Sequence, residues 1–469
     1  MKLIYGIKDR PKLGQVIVFA IQQLLAIMAA TLVVPVIINT SGSMPPFAPQ
    51  MSSAAALFGA GIGTLVYQLF TRFKSPVFLG SSFAFIGSMC SAFAGAISAQ
   101  AGYLGLIIGA VCAGLVYVVI ALIVKFAGVK WIAKLMPAVV IGPTVAIIGL
   151  SLAGNAIGDL QTAPAGGSVY VAILCGLVTL AVTMLCATFG KKMIRLIPFI
   201  MGILAGYAVA TVFTVIGNVA DIDALKVINF APLTNLFTDF SIKSIVSVPD
   251  FTFVEALKGI KDIDAAYVGT VAVAYAPVAF VVFAEHIADH KNLSTIIESD
   301  LLEEPGLHNT LLGDGVGSMA GSIFGGCPNT TYGESVGCVA ITGNASVITI
   351  TTTAIMAIVI SFLSPFVAFV NTSPSCVMGG VCMALYGFIA VSGLKMIQKV
   401  DLEKNRNLFV VSVILITGIG GLSVSFGKVT LTTIACALIL GILANVMLGV
   451  KDKKKDEEAP ASEDNTYEL

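Results

Sequence analysis

Two glutamates stand where a charged side chain is costly. Glu285 closes the apolar run AYVGTVAVAYAPVAFVVFA and opens the cluster EHIADH. Glu334 follows Tyr332 and Gly333 in the stretch CPNTTYGESVG, which lies between two apolar regions. Ionisable groups inside membrane spans are rare and usually functional. A carboxylate accepts hydrogen bonds and, once protonated, can also donate one. Burial favours its neutral form, so such a group can load and release a proton near neutral pH. The pair therefore suits a neutral, planar substrate that displays N–H donors and carbonyl acceptors. Hydropathy alone leaves two plainer readings open: Glu285 as an interfacial residue at the inner end of its span, and Glu334 as the polar cap of a half-helix. His290 and His308 read as inner-loop residues. The GxG pattern around Gly313–Gly317 falls in a helical span and is weak support for a nucleotide site. The nine cysteines show no CxxC or Cys/His metal spacing and read as small packing residues, so neither metal nor cofactor is expected.

The elements that position these groups are membrane spans. Of 469 residues, 57% are hydrophobic and 11% charged, against roughly 25% charged in a soluble domain. Mean hydropathy is +0.97. The chain is an integral, polytopic membrane protein, and its zero net charge gives no case for a nucleic-acid partner. About fourteen candidate spans run from 14–38 to 429–449. Two of them, 78–97 and 331–342, are interrupted or short. Lys and Arg cluster in alternate connections, from Lys2–Lys12 through Arg72 and Lys74 to Lys191–Arg195 and Lys451–Lys455. That asymmetry predicts both termini in the cytoplasm. Residues 218–262 form an outer excursion with room for a short surface helix. The tail 451–469 is charged, contains Pro and Ser, and is expected to be disordered.

The chain also repeats itself. Pro137 and Pro374 share their offset with Gly142 and Gly379, and GILAGY at Gly202 is echoed by GILANV at Gly441. Seven spans per half would insert the second copy upside down, a common transporter architecture. The place in the first half that corresponds to CPNTTYGESVG is LGSSFAFIGS at Leu79–Ser88, also an interrupted span. Backbone that leaves the helix at membrane depth survives only inside protein or beside a water-filled cavity. A symmetric pair of such breaks marks a binding site.

These residues resemble a known family. PNTTYGE (Pro328–Glu334) followed by SVGCVAIT, FAEH (Phe283–His286), SDLLEEPGLHNTLLGDG (Ser299–Gly315) and LGSSFAF (Leu79–Phe85) are similar to the motifs of the nucleobase–ascorbate, or nucleobase:cation symporter, family. The resemblance covers nearly the whole chain. It implies an all-α fold of fourteen segments in two inverted sevens, with two short strands in the interrupted segments 3 and 10. It implies a core domain from 14–127 and 263–370, and a gate domain from 131–217 and 374–450. By the same resemblance Glu285 is the carboxylate that binds uracil and takes part in proton coupling, and Glu334 is the second carboxylate. Phe83 and Gly333 would offer backbone N–H donors, and Tyr332, Tyr386 and Ala30 would pack around the ring. Three positions depart from the pattern. Asp289, with His290 beside it, stands where uracil-transporting members often have His, so Asp289 and His290 join Glu285 as the expected proton-coupling residues and the relay differs. Ser335 replaces the usual Asn, and Gly343 the usual Arg or Lys. The implied protein is a proton-coupled uracil importer of a bacterial inner membrane and not an enzyme, with uracil, protons and the lipid bilayer as partners and a homodimeric state. A xanthine or uric acid permease and a sodium-coupled symporter are the alternatives. An anion transporter of the same architecture would place a basic residue at the half-helix instead of Glu334, and an intramembrane enzyme or a sensor would come from a different class.

Overall fold

The computed structural model describes residues 3–128, 137–191, 193–238, 241–426 and 429–457. Among the described residues, eight helices are long and apolar enough to cross a membrane, and four shorter apolar helices accompany them. The first long helices are α1 (Leu13–Thr40) and α2 (Ser53–Phe70). After them the chain leaves the helix for β1 (Leu79–Ser81), makes a 3-10 turn over Phe83–Phe85, and resumes as the half-helix α3 (Ile86–Ala94). Then come α4 (Ala99–Ala127), α5 (Ala138–Ser151), α6 (Ala153–Gln161), α7 (Val169–Phe189) and α8 (Pro198–Ala220). The second half opens with α9 (Ala265–Ile297) and α10 (Leu307–Gly325). It breaks at β2 (Asn329–Thr331) and resumes as the half-helix α11 (Gly333–Thr342). It closes with α12 (Val347–Ser361), α13 (Ser375–Ile397), α14 (Asn405–Ile419) and α15 (Thr433–Glu457).

Local chemistry sets several of these boundaries. Ser52, Ser98 and Asp264 cap α2, α4 and α9 by accepting the N–H groups of Ala55, Ala101 and Tyr267. Gly326 ends α10 and Gly343 ends α11, both left-handed at φ 71° and 65°, a conformation that suits glycine. The Gly343 departure thus has a local reason: a Lys or Arg at that backbone angle would be strained. The apolar stretch 345–370 is two helices, because the chain turns at Leu363 and restarts with Pro365 in the first turn of Ser364–Asn371. The last helix runs on to Glu457, past the start of the charged tail at Lys451, because lysine and glutamate favour helix. Residues 458–469, the rest of the tail expected to be disordered, lie outside the described residues.

The helices pack as two groups. α2 lies against α10 and α12, α4 against α9 and α10, and α1 against α12 and α2. The other group centres on α13, which packs on α5, α6 and α7, with α8 on α7 and α14 on α5 and α15. Glycines permit the closest approaches. A Cβ on Gly63 would stand 2.8 Å from the Gly317 carbonyl oxygen, and one on Gly321 2.6 Å from that of Gly59. Lipid supplies no hydrophobic drive between helices, so close backbone packing of small residues does that work. The outer excursion bridges the groups. It begins on α8, where Thr214 Oγ1 accepts the N–H groups of Val227 and Ile228 at 3.0 Å. It ends on α2 and α10, where Phe251 meets Phe58 and Phe324 at 4.9 and 5.5 Å. One short helix, Ala231–Thr238, lies between, and a second, Thr252–Lys258, follows Phe251.

Candidate functional site

The two breaks meet. β1 and β2 pair antiparallel, with Leu79 opposite Thr331, Gly80 opposite Thr330 and Ser81 opposite Asn329. Ser82 N–H extends the ladder to Pro328 O at 2.8 Å, and Tyr332 N–H to Phe78 O at 3.3 Å. Neither segment could leave its helix alone, because its peptide groups would be unsatisfied; each supplies the other's partners. Side chains finish the work. Thr64 Oγ1 accepts Leu79 N–H at 2.9 Å, Ser318 Oγ accepts Asn329 N–H at 2.9 Å, and Asn329 Nδ2 donates to Gly59 O at 3.1 Å. The half-helices α3 and α11 therefore start from one buried point, each with first-turn N–H groups that lack an intrahelical partner.

A cavity of about 430 Å³ lies at that point, between the two helix groups, within the range of small-molecule sites, about 300–1,000 Å³. One wall carries Ser82, Phe83, Glu285, Asp289, Thr330, Tyr332, Gly333 and Glu334. The facing wall is mostly apolar and comes from α5, α8 and α13: Ile141, Val145, Ile148, Phe199, Leu385, Phe388, Ile389 and Met396, with the hydroxyl of Ser392 among them. Glu285 is exposed to this space, and Asp289 and Glu334 are half-buried. Glu285 thus faces a cavity inside the protein rather than the membrane interface. Asp289 accepts a hydrogen bond from Thr331 Oγ1 at 2.9 Å, so the departing residue is tied to β2.

The aromatic residues hold this frame. Tyr332 donates its hydroxyl to Ser81 O at 2.7 Å and accepts from Thr31 at 3.4 Å. Its ring covers Gly80, where a Cβ would enter the ring. Gly80→Ala must push Tyr332 aside, and overpacking of this kind costs about 1–3 kcal/mol; a thermal unfolding series in detergent should show a lower midpoint. Ala30 is buried in the cluster that includes Tyr332 and Phe78, one layer behind the cavity. Tyr386 is also buried and meets the Phe83 ring edge to face at 6.1 Å. Ser335 takes over a structural role: its Oγ accepts Phe78 N–H at 3.1 Å and Gln23 Nε2–H at 2.5 Å.

Of the residues expected at the site, Glu285, Asp289, Glu334, Phe83, Gly333 and Tyr332 share one cavity, while Ala30 and Tyr386 stand behind it. His290 does neither. It is no inner-loop residue but fully buried within α9, bonded to Tyr67 at 2.6 Å. Sequence reading missed Ser82 and Thr330, two small hydroxyls on the cavity wall, and the buried contact of His286 with Asp314 at 2.7 Å. An Asp inside the helical stretch LLGDG was the available signal for the second.

A model of the Permease family matches residues 14–426. The chain belongs to this family. It is a membrane transporter and not an enzyme, since the family and its named relatives are permeases. This permease is 35% identical to the uracil permease of Bacillus caldolyticus, over 95% of each chain. It is 36% identical to that of Bacillus subtilis (strain 168), over 98% of each chain, and 33% identical to that of Escherichia coli (strain K12), over 97% of this chain and 96% of the other. Its fold resembles the transmembrane domain of the cyanobacterial bicarbonate transporter BicA, with a TM-score of 0.58 at 15% identity over 92% of this permease and 98% of that domain. It also resembles the murine anion transporter Slc26a9, with a TM-score of 0.57 at 13% identity over 95% of this permease and 69% of the other chain. At these identities the likeness is one of fold.

Proposed function

We propose that this permease imports uracil across a bacterial inner membrane, coupled to protons, by alternating access. The observation that carries the reading is the meeting of Glu285, Asp289 and Glu334 with two half-helix starts at one cavity. Uracil is neutral and planar, with N–H donors for carboxylates and carbonyls for backbone N–H groups. The relatives named uracil permease, at 33 to 36% identity along nearly the full length, support the substrate.

The helix group of α1–α4 with α9–α12 serves as the core and the group of α5–α8 with α13–α15 as the gate, in fourteen segments forming two inverted sevens. The antiparallel pairing of β1 with β2 supports that symmetry. The site lies between core and gate, so rocking one against the other exposes it to each side in turn. A second cavity, of about 370 Å³, shares Phe83 and Ile148 with the first, and these two side chains would then separate an inner chamber from an outer one. Lys and Arg placement puts both termini in the cytoplasm. Glu285 and Asp289 carry the proton, His290 supports α9 from behind, and the protein works as a homodimer.

Labelled-uracil uptake into proteoliposomes tests this. An imposed inward proton gradient in sodium-free buffer should drive accumulation, and unlabelled uracil but not xanthine should compete. Uptake that waits for sodium, or for a purine, would leave the site in place and overturn the function.

A further inference from the structure

α9 carries two ladders. Glu285 and Asp289 stand one turn apart, and so do His286 and His290, one residue further and thus about 100° around the helix. The acidic ladder faces the cavity. The histidine ladder faces α2 and α10 and is fully buried, together with Tyr67 and nearly all of Asp314.

Hydrogen-bond partners assign the protons on this ladder. His290 Nδ1 faces the His286 carbonyl at 2.8 Å, which can only accept, so Nδ1 carries the ring proton; Nε2 lies 2.6 Å from the Tyr67 hydroxyl, which also reaches Ser75 Oγ at 2.7 Å. The Thr310 hydroxyl donates to Leu307 O at 3.0 Å, so its oxygen accepts from His286 Nε2 at 3.0 Å. One more proton is shared along the 2.7 Å contact between His286 Nδ1 and Asp314 Oδ2. The other carboxyl oxygen, Asp314 Oδ1, has no protein partner among the described residues, and neither has the Tyr117 hydroxyl. The Tyr117 hydroxyl is turned toward Thr330 without reaching hydrogen-bond geometry. Asp314 and Tyr117 line one small space of about 10 Å³, with Ser318 and with Asn329 of β2. A single water needs about 10–15 Å³ and at least two polar partners.

We propose that His286 and Asp314 are positioning residues: with a water bound between Asp314 Oδ1 and the Tyr117 hydroxyl, they fix the rotation of α9 that turns Glu285 and Asp289 into the cavity. The physical need is plain. A helix in an apolar setting gains little from any one rotation, and a turn of one residue would put histidines where the carboxylates stand. The buried bond to Asp314 makes that turn costly, because it would strand two polar groups. The inference rests on the reading that Glu285 binds substrate.

The test compares Asp314→Asn, Asp314→Leu, His286→Leu and the double leucine variant, each purified and reconstituted, with uracil KM and Vmax per inserted transporter as the readout. With Nε2–H given to Thr310, Nδ1 of the neutral ring accepts, and the Asn amide NH2 can donate to it, so Asp314→Asn should stay within about three-fold of the unmodified protein in both constants. Either leucine variant should raise KM about ten-fold with Vmax within about three-fold, as a misplaced binding group does. The double variant should match the single ones, since both remove one link. His286→Asn, which keeps an N–H near Nδ1, should recover most of the affinity even if the leucine variants insert poorly. An unchanged KM in well-inserted Asp314→Leu overturns the inference. So does loss of uphill accumulation with retained exchange in Asp314→Asn, which would make Asp314 a proton carrier itself. A Glu285→Gln control separates the two layers: unaltered uracil affinity there defeats the reading of the cavity, whatever Asp314 does.

Discussion

Glu334→Gln lowers uracil affinity by about 30- to 100-fold, equivalent to ~2–3 kcal/mol. Glu334 sits in the first turn of α11, with its carboxyl on the cavity wall. There a carboxylate can only accept, which matches an N–H donor of the ring. Gln keeps the size but can turn an NH2 toward that donor, leaving two donors face to face on the cavity wall. Turning the amide the other way restores one acceptor but not the charge-assisted bond, which is about twice as strong as a neutral one. The half-helix itself loses little, because α11 ends on Gly343 and is tied through Ser335 to Phe78 and Gln23. Calorimetric titration of the purified variant, with its melting temperature as a control for folding, measures the effect. Unchanged affinity would remove Glu334 from the site.

Glu285→Gln abolishes uphill accumulation and leaves exchange. Gln cannot take up a proton, so inward movement of substrate no longer carries one. Per proton coupled, a gradient of one pH unit can sustain about ten-fold accumulation, and in the variant the internal concentration should level off at the external one. Counterflow, which needs only the moving site, should persist at reduced affinity. Asp289 stands one turn further along the same face, bonded to Thr331, and is the group that could stand in. The double variant Glu285→Gln with Asp289→Asn tests whether any residual coupling passes through it. Full accumulation in the single variant would refute the role of Glu285.

The membrane class, the interrupted spans and the two glutamates were legible because each depends on composition along the chain. Lipid punishes any unpaired backbone group or charge, so breaks at Leu79–Ser81 and Asn329–Thr331 and an acid at Glu334 stand out against apolar surroundings. By hydropathy alone, without the family resemblance, Glu285 was legible as a residue but not as a site. Its place at the end of an apolar run fits an interfacial group equally well, and only the packing of α9 against the strands puts it on a cavity wall. His290 shows the converse: EHIADH reads as polar enough for a loop, yet the helix continues to Ile297 and buries both histidines.

By itself the sequence determined that the chain lies in a membrane, that two of its spans break, and which acids stand near a break. Those facts follow from local chemistry, since hydropathy, glycine and proline act within a few residues. Only the tertiary structure decided that the breaks pair with each other, that Glu285, Asp289 and Glu334 share one space, and that His286 turns away to Asp314. Each of those is a contact between segments far apart in the chain, and its partner is chosen by which buried donor meets which buried acceptor once the helices pack.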